Sequence, residues 1–421
     1  MSKSKIISAI ELGSSKIATL IAQVQFDEVT FEPSVNVVGV SSVDSRGIKK
    51  GQIVDIDEAV EATISSVEAA ERMAGYNLDS AYIAIGGGHV QSQNSHGVVA
   101  VSDPNGEISE ADVDRVVEAA SAVSIPSSRE VIHVVPREFI VDGESGVKVP
   151  IGMSGVRLEV ETHLVTASNA SIKNLSKAVN EVGVEIDGLV FSAIAASEAV
   201  LTKTEKELGC VLVDIGGGTT SLVSYVDGSI AFSSVIPIGS KNVTNDLAIG
   251  LRVSLDSAEQ IKKMLSSVHD KSKKGAFQSI KLNLSKLGVD SAKKVSEKTL
   301  TEGIIKPRLN EIFTMVKIAL DRESMLSKVP SGVILTGGGA EVVGAQLSAK
   351  RMLGLPVRIG KPKGVKGLVD EIIKPTFAVP VGLLMYGLKE SPQSSGFGRK
   401  LRLPKVGAAG RLFEKVKDLL P

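Results

Sequence analysis

Residues 211–220, Val-Leu-Val-Asp-Ile-Gly-Gly-Gly-Thr-Thr, constrain the fold of this chain more than any other stretch. The apolar run that begins at Cys210 predicts a buried strand, and apolar residues resume from Leu222, which predicts a second strand. The three glycines therefore lie at a hairpin tip, where several backbone N–H groups can converge on one anion. Asp214 precedes them and cannot contact a phosphate, but it can hold Mg²⁺ through water, because Mg²⁺ keeps most of its hydration shell.

An acid followed by glycine between two apolar runs also occurs near the N-terminus, at residues 11–16, Glu-Leu-Gly-Ser-Ser-Lys. A third glycine run, Gly337-Gly338-Gly339, follows a predicted strand at 332–335 and opens a predicted helix at 341–347. One glycine-rich turn is more often only a tight turn. Three of them, two at hairpin tips, predict a nucleotide cleft between two similar halves.

Length and composition exclude several classes of protein. The 421 residues are enough for two to four domains, and 43% hydrophobic with 23% charged residues is typical of a soluble globular protein. The zero net charge argues against a general nucleic-acid binder. The single cysteine indicates a reducing compartment, and no apolar stretch approaches the roughly 18 residues of a membrane span. We therefore expect a cytoplasmic protein.

Conventional metal and phosphate motifs are absent from the sequence. The five histidines show no metal-ligand spacing, and neither GxGxxG nor a Walker-A sequence is present.

Residues 86–162 show a pattern of their own, with a capping box at Ser109–Asp112 in front of a predicted helix and strands on both sides. This pattern predicts a small α+β insert. The run Gly86-Gly87-Gly88 has no acid before it, so we interpret it as a hinge into the insert. Further on, residues 300–320 predict one long helix, and the Lys- and Ser-rich residues 269–298 predict an exposed sheet or loop.

The C-terminal segment predicts an amphipathic helix at the end of a flexible linker, residues 388–410. A short amphipathic helix usually packs on its own domain. After such a linker it has no fixed docking position, whereas a lipid surface is available everywhere. We therefore predict that the segment binds an anionic membrane surface. Its apolar stripe consists of Leu412, Phe413, Val416, Leu419 and Leu420.

Several stretches together resemble the actin/Hsp70/sugar-kinase superfamily and, within it, the FtsA family of actin-like bacterial cell-division proteins. The resemblance implies an α/β, actin-like fold (a duplicated ribonuclease-H-like fold) with two lobes around a nucleotide cleft and an α+β insert, subdomain 1C. The matching stretches are 11–16, 45–47, 151–157, 213–219, 242–246, 334–339 and the C-terminal helix.

The family's division of the chain is expected here as well. The expected parts are subdomain 1A at 1–85, 163–196 and 376–387; subdomain 1C at 86–162; subdomain 2A at 197–240 and 327–375; subdomain 2B at 241–326; a linker at 388–410; and a membrane-targeting helix at 411–421.

By resemblance, ATP and Mg²⁺ bind in the cleft. Glu11 and Asp214 are expected to face Mg²⁺ through water, and Glu259 and Lys262 to hold the ribose and base. Taken alone, that pair would be read as an ordinary exposed ion pair three residues apart on a helix. The remaining expected contacts are Gly13, Ser14, Ser15 and Lys16 in the first phosphate loop; Asp214, Gly216, Gly217, Gly218 and Thr219 in the second; and Gly337, Gly338 and Gly339 beside the adenosine.

Ser192 stands where polymerising actin relatives often place a glutamate or glutamine that orients the attacking water. A neutral hydroxyl is a poor general base at pH 7. We therefore expect ATP to act mainly as a conformational ligand. The chain would be at most a weak ATPase, and primarily a scaffold.

The resemblance further implies that the protein forms actin-like filaments on the cytoplasmic face of the membrane at midcell. There it would tether the tail of the tubulin-like protein FtsZ through subdomain 2B, and recruit later divisome proteins through 1C. Arg308 and Glu311 are the candidate contacts for the FtsZ tail, as exposed residues of the helix that begins near 300.

Two other functions remain open on the sequence. A metabolite kinase of the same fold would need a carboxylate base in the cleft, and none is found near Ser192. A pilus-assembly scaffold like PilM would be a binding module without such a terminal helix.

Overall fold

The computed structural model describes residues 5–26, 33–272 and 296–390, which alternate between strands and helices. The strands are β1 (Lys5–Leu12), β2 (Lys16–Phe26), β3 (Pro33–Asp44), β4 (Ile48–Lys49), β5 (Gln52–Ile53), β6 (Ser80–Ile85), β7 (Gln91–Ala100), β8 (Arg129–Val141), β9 (Glu144–Val147), β10 (Arg157–Ser168), β11 (Glu185–Phe191), β12 (Cys210–Ile215), β13 (Thr220–Val226), β14 (Ser229–Ile236), β15 (Val333–Thr336), β16 (Val357–Ile359) and β17 (Val365–Gly367). The helices are α1 (Ile56–Ala74), α2 (Glu110–Ser121), α3 (Asn169–Asn180), α4 (Ser192–Val200), α5 (Lys203–Leu208), α6 (Ser240–Leu251), α7 (Leu255–Ser272), α8 (Glu297–Leu300), α9 (Lys306–Arg322), α10 (Ala345–Leu353), α11 (Val369–Ile372) and α12 (Ala378–Lys389).

Two of the sheets share one topology. The first runs β3-β2-β1-β6-β11, with β17 added beside β3, and the second runs β14-β13-β12-β15-β16. In each, an antiparallel three-stranded meander continues into two parallel strands. The predicted α/β, duplicated actin-like fold is therefore confirmed.

Two large hydrophobic cores hold these sheets: the first surrounds the first sheet and includes residues from one face of the second, and the other covers the opposite face of the second sheet. The strand β12 is buried along its whole length, and Cys210, its first residue, is fully buried. Burial raises the pKa of this thiol to about 12. Helices α4 and α12 cross closely. A Cβ atom added to Gly382 of α12 would lie only 1.8 Å from the carbonyl oxygen of Ala195 in α4. Alanines 193, 195 and 196 are fully buried at this crossing, as their small size requires.

The insert forms a third sheet of order β7-β10-β8-β9, with α2 packed against it. The predicted capping box is present. Ser109 Oγ donates to the carboxylate of Asp112, and the N–H of Asp112 donates to Ser109 Oγ. Hydrogen bonds from Ser109 keep the pKa of the buried Asp112 far below its usual range, although burial acts in the opposite direction.

The insert also contacts β14, the edge strand of the second large sheet. Ser92 Oγ donates to the carbonyl of Ser233 at 2.6 Å, and Nε2 of His163, where β10 continues past residue 162, lies 2.9 Å from Ser233 Oγ. Lys148 Nζ reaches the carbonyl of Asp227 at 2.6 Å. Both ends of the insert lie beside the first sheet. Its contacts with β14 therefore connect the two lobes.

The strand β8 runs on through Pro136, where a register shift in its pairing with β10 accommodates the missing N–H. The structure differs from the sequence-based prediction in two local features. The bounds of the predicted helix at 341–347 are wrong: a 3₁₀ turn (Gly338–Glu341) is followed by α10, which begins after the left-handed Gly344. The predicted long helix at 300–320 contains a π-helical turn (Thr301–Ile305) just before Pro307, which has no N–H for the helical ladder.

The structure also differs from the expected assignments at two further places. The strand β17 pairs with β3 of the first sheet, although the expected division gives residues 327–375 to the second lobe. Helix α7 continues to Ser272, into the segment predicted as sheet or loop, whose residues 273–295 lie outside the described part of the chain. The predicted linker and terminal helix also lie outside it, apart from the end of α12 and residue 390. Within the described residues, none of the helices combines the length and apolar character of a membrane span.

Acid is expected to destabilise the region where the insert meets the rest of the molecule. Burial lowers the pKa of His133 and of His163 to about 4, from 6.5. Because the folded state holds both rings neutral, their stabilising contribution is complete above pH 6.5 and is lost as the pH falls towards 4. The loss amounts to roughly 3 kcal/mol for each ring. Urea unfolding at a series of pH values measures it.

The variant His163→Gln should lose less unfolding free energy than the wild type between pH 6.5 and 4. An unchanged pH dependence in His163→Gln would contradict this account.

Candidate functional site

Two hairpins with the same geometry form the centre of the site. In the first, Gly13 N–H donates to the carbonyl of Lys16 at 3.0 Å, and in the second, Gly216 N–H donates to the carbonyl of Thr219 at 2.8 Å. Glu11 in β1 and Asp214 in β12 occupy equivalent positions, each two residues before the glycine. The duplication of the sheets therefore brings one carboxylate and one glycine-containing turn from each lobe to the cleft.

The two hairpins touch each other across the cleft. A Cβ atom on Gly217 would lie 2.0 Å from Ser15 Oγ, and one on Gly218 would lie 2.8 Å from Ser14 Oγ. Lys241, at the start of α6, donates from Nζ to the carbonyl of Ser14 at 2.7 Å. A side chain at either glycine would require the opposing serine to move.

A cavity of about 640 Å³ lies between the lobes, within the size range of small-molecule sites. Its lining includes every residue expected by resemblance to contact the nucleotide or metal, with the exception of Gly339. That glycine packs against β12 instead, since a Cβ atom there would lie 2.2 Å from Ile215 Cγ2. The expected residues in the lining are Glu11, Gly13, Ser14, Ser15, Lys16, Asp214, Gly216, Gly217, Gly218, Thr219, Glu259, Lys262, Gly337 and Gly338.

The two acids are held in different environments. Glu11 forms an ion pair with Lys16 at 3.2 Å, and the ammonium group of Lys16 lies 4.2 Å from the centre of the Phe377 ring. Asp214 is 8% exposed, and burial raises its pKa to about 7, assisted by the charge of Glu11 and opposed by Lys16. A cation beside these carboxylates would stabilise the ionised form of Asp214.

The charged groups of the described residues do not form a direct metal cage. No group of three or more His, Cys, Asp or Glu side chains suited to metal binding occurs there. Two carboxylates without further protein ligands are compatible with Mg²⁺, which keeps several waters and binds through one or two carboxylates.

Glu259 and Lys262, three residues apart on α7, form a partly buried pair at 2.7 Å. Lys262 is 6% exposed and also donates to Thr244 Oγ1 at 2.8 Å, while that hydroxyl donates to Glu259 at 2.6 Å. Burial acts to raise the pKa of Glu259, but the charge of Lys262 and the hydrogen bonds outweigh it and lower the pKa. The pair is therefore not an ordinary exposed ion pair, and it lines the cavity together with Gly337 and Gly338.

Several lining residues were not expected from the sequence. The glycine run at 86–88, interpreted as a hinge, contributes Gly86 to the cavity wall, where a Cβ atom would lie 3.1 Å from Ser192 Oγ. Ser192 begins α4 and its hydroxyl donates to Ser221 Oγ at 3.3 Å. The glycine run at 86–88 was the sequence signal that could have revealed Gly86, whereas the other unexpected lining residues belong to no sequence motif. These include Ser42, Asp44, Gly51, Gln52, His89, Ser171, Leu175, Thr376 and Phe377.

Arg308 and Glu311 lie on α9, away from the cavity. Arg308 donates to both carboxylate oxygens of Asp246 on α6, at 2.6 and 2.9 Å, and also contacts Glu311. The prediction that Arg308 is exposed is wrong, because its side chain is 25% exposed, whereas Glu311 is exposed. The five predicted membrane residues lie outside the described part of the chain.

Comparison with known families gives two matches along the chain. Residues 87–166 match the model of the "SHS2 domain inserted in FTSA", and residues 211–382 match that of "Cell division protein FtsA". The first match covers the insert sheet and the second covers most of the second lobe.

Curated relatives extend the similarity over nearly the whole chain. The FtsA of Pseudomonas aeruginosa is 40% identical over 392 residues, covering 93% of this chain and 91% of its own length. The FtsA of Escherichia coli K12 is 35% identical, covering 92% of this chain and 91% of its own. The FtsA of Bacillus subtilis is 35% identical, covering 93% and 85%.

Similar solved structures share the fold alone, since their sequence identities are low. A PilM–PilN type IV pilus biogenesis complex matches with a TM-score of 0.62 at 17% identity, covering 91% of this chain and 98% of that chain. MreB5 of Spiroplasma citri bound to AMPPNP matches with a TM-score of 0.51 at 12% identity, covering 99% and 100%. These structures agree with an actin-like fold, and the curated relatives together with the two family models show that the chain belongs to the FtsA family of actin-like cell-division proteins.

Proposed function

We propose that this cell-division protein binds ATP with Mg²⁺ in the interlobe cavity and uses it to hold the two lobes closed. The observation that carries the proposal is the pair of equivalent glycine hairpins. They touch each other, and both line the cavity of about 640 Å³. The MreB5 protein of similar fold was solved with AMPPNP, a nucleotide analogue. A ligand that contacts both hairpins binds the closed arrangement better than an open one, and so shifts the equilibrium towards it.

The residues present fit this ligand. Backbone N–H groups of the hairpins at 13–16 and 216–219 would hold the phosphates, and Glu11 with Asp214 would hold Mg²⁺ through water. Glu259 and Lys262 would contact the ribose and base, with Gly337 and Gly338 opposite. When bound, the ion would neutralise phosphate and carboxylate charge at this end of the cavity.

Turnover of the nucleotide is expected to be slow. Ser192, which donates to Ser221, offers a neutral hydroxyl where an acid or amide would orient water. The chain would therefore act as a scaffold that is at most a weak ATPase, with ATP as its conformational ligand.

We propose that the last residues, 411–421, anchor the protein to the cytoplasmic face of the membrane at midcell. The apolar stripe would enter the lipid interface, while Arg411, Lys415 and Lys417 would face anionic headgroups. One such helix binds reversibly, whereas a row of them along an actin-like filament binds by avidity.

We propose that α9 contributes to docking of the FtsZ C-terminal tail and that the insert recruits later divisome proteins. On α9, Glu311, Met315 and Ile318 are exposed and recur at helical spacing, so they present one face. Arg308 lies beside this face but is tied to Asp246.

Nucleotide binding is tested by calorimetry with ATP, in Mg²⁺ and in EDTA. Asp214→Asn should weaken binding in Mg²⁺ about tenfold, the usual cost of removing an outer-shell metal partner, and change binding in EDTA little. The control is Asp321→Asn, an exposed acid of α9. Equal Mg²⁺ dependence in the variant and the wild type would contradict the metal role, and wild-type turnover near one ATP per second would contradict slow hydrolysis.

Membrane anchoring is tested by co-sedimentation with anionic liposomes. Phe413→Glu should release the protein, because a charge in the apolar stripe opposes insertion into the interface. Phe413→Leu keeps the stripe and should still bind. Unchanged co-sedimentation of Phe413→Glu would count against the anchor.

Docking of the FtsZ tail is tested by peptide binding to charge variants of α9. Glu311→Lys should weaken binding several-fold, with the exposed Glu323→Lys as its control. Arg308→Glu alone would place an acid beside Asp246, so the double variant Arg308→Glu/Asp246→Arg restores the ion pair with its charges exchanged. We expect the exchanged pair to fold and still to lose the tail. Restored binding would instead show that Arg308 acts only through the fold.

A further inference from the structure

A basic segment lies on the surface where the chain crosses from the second sheet to the first. The basic loop, residues 361–368 (Lys-Pro-Lys-Gly-Val-Lys-Gly-Leu), joins β16 to β17 and continues past it. Lys361, Lys363 and Lys366 are all exposed, and the loop contains no acid. Leu368, its last residue, is 44% exposed.

Neighbouring acids within residues 5–26, 33–272 and 296–390 do not neutralise the three ammonium groups. No ion pair joins any of them to an acid among the described residues, whereas other lysines, such as Lys177, Lys206 and Lys306, pair with glutamates. The nearest acids along the described chain, Asp370 and Glu371, follow the loop in α11. The loop therefore presents three positive charges within six residues, and none of them has an acidic partner in the part of the chain that the structure describes.

The backbone of the loop is held by contacts with α4 and β3. Lys363 N–H donates to the carbonyl of Ala199 at 2.9 Å, and Lys366 is in register with Asn36 of β3. The side chain of Val365 packs against the first core, so that of Lys366 points to the opposite, outer face of the strand. The backbone of Lys363 and that of Lys366 are thus fixed on the body of the protein.

The loop also lies against the last helix of that body. A Cβ atom on Gly364 would lie 3.1 Å from Cε of Met385, in α12. Met385 lies one helical turn before Lys389, where α12 ends and from which the chain continues into its C-terminal segment. The basic loop therefore lies close to the point at which the tail leaves the folded body.

We propose that the basic loop is a second membrane contact, which binds anionic lipid headgroups and sets the orientation of the folded body on the bilayer. The inference deepens the proposed membrane role and rests on it, because the tail brings the body to the surface. Clustered lysines beside an anionic leaflet attract it over about one Debye length, and Leu368 can enter the interface between the headgroups. The same positive charge would also suit an acidic protein partner. If the loop bound such a partner and not lipid, removing its charge would have no effect on vesicle binding.

The test measures partitioning of the full-length protein between buffer and vesicles at about 0.15 M salt. Vesicles of phosphatidylglycerol mixed with phosphatidylcholine are compared with pure phosphatidylcholine. The loop variant carries Lys361→Gln, Lys363→Gln and Lys366→Gln. The control variant carries Lys317→Gln, Lys328→Gln and Lys350→Gln, which removes the same charge from exposed lysines of the second lobe.

We expect the loop variant to bind anionic vesicles at least about fivefold more weakly than the wild type, because each lysine near the surface contributes to binding. The control variant should change less than twofold, and neither should alter binding to neutral vesicles. Equal weakening by both variants, or no weakening by the loop variant, would overturn the proposal. All variants should unfold at the wild-type temperature, since the substituted side chains are exposed.

Phe413→Glu separates this inference from the anchor on which it rests. If Phe413→Glu still binds as the wild type does, the tail is not the anchor and the proposed function fails. If Phe413→Glu releases the protein while the loop variant matches the control, the anchor stands and only the second contact fails.

Discussion

The contact between the two glycine hairpins is the constraint on which the rest of the structure depends. Ser14 and Ser15 of one lobe meet Gly217 and Gly218 of the other so closely that a single Cβ on either glycine would collide with a serine hydroxyl. Because each hairpin is the tip of a sheet, this contact fixes how the two sheets face each other. It also brings Glu11 and Asp214 to one end of the cavity, where the pKa of Asp214 is raised by burial and by the second acid. The cost of burying Asp214 beside a second acid is tolerated where a cation can offset it.

The insert gives the family's actin-like fold a second connection between its halves. It grows from the first lobe but hydrogen-bonds to β14 of the second through Ser92, Lys148 and the neutral His163. Motion of one lobe against the other therefore requires these bonds to move as well. A partner that binds the insert has in this way a physical connection to the cavity, since Gly86 lies in the cavity wall at the root of the insert.

Much of this arrangement could be predicted from the sequence, because the duplicated pattern of strand, acid, glycine and strand is local. The fold class, the two hairpins and the burial of Leu309, Ile312, Phe313, Val316 and Leu320 on α9 follow from such local patterns. The features that sequence reasoning missed depend on tertiary contacts. The exposure of Arg308 is limited by Asp246, which lies 62 residues away in the sequence. Gly339 turns from the cavity because Ile215 occupies the space beside it, and Gly86 enters the wall because of Ser192. No periodicity or motif encodes those neighbours.

The burial of the single thiol has a practical consequence for experiments on this molecule. Cys210 is fully buried in β12, and its pKa near 12 leaves almost no thiolate at neutral pH. Maleimide reagents should therefore ignore the native chain and react only where a surface cysteine is introduced. Spectroscopic probes can then be placed singly on either lobe, on the insert or on the tail without first removing a residue from the core.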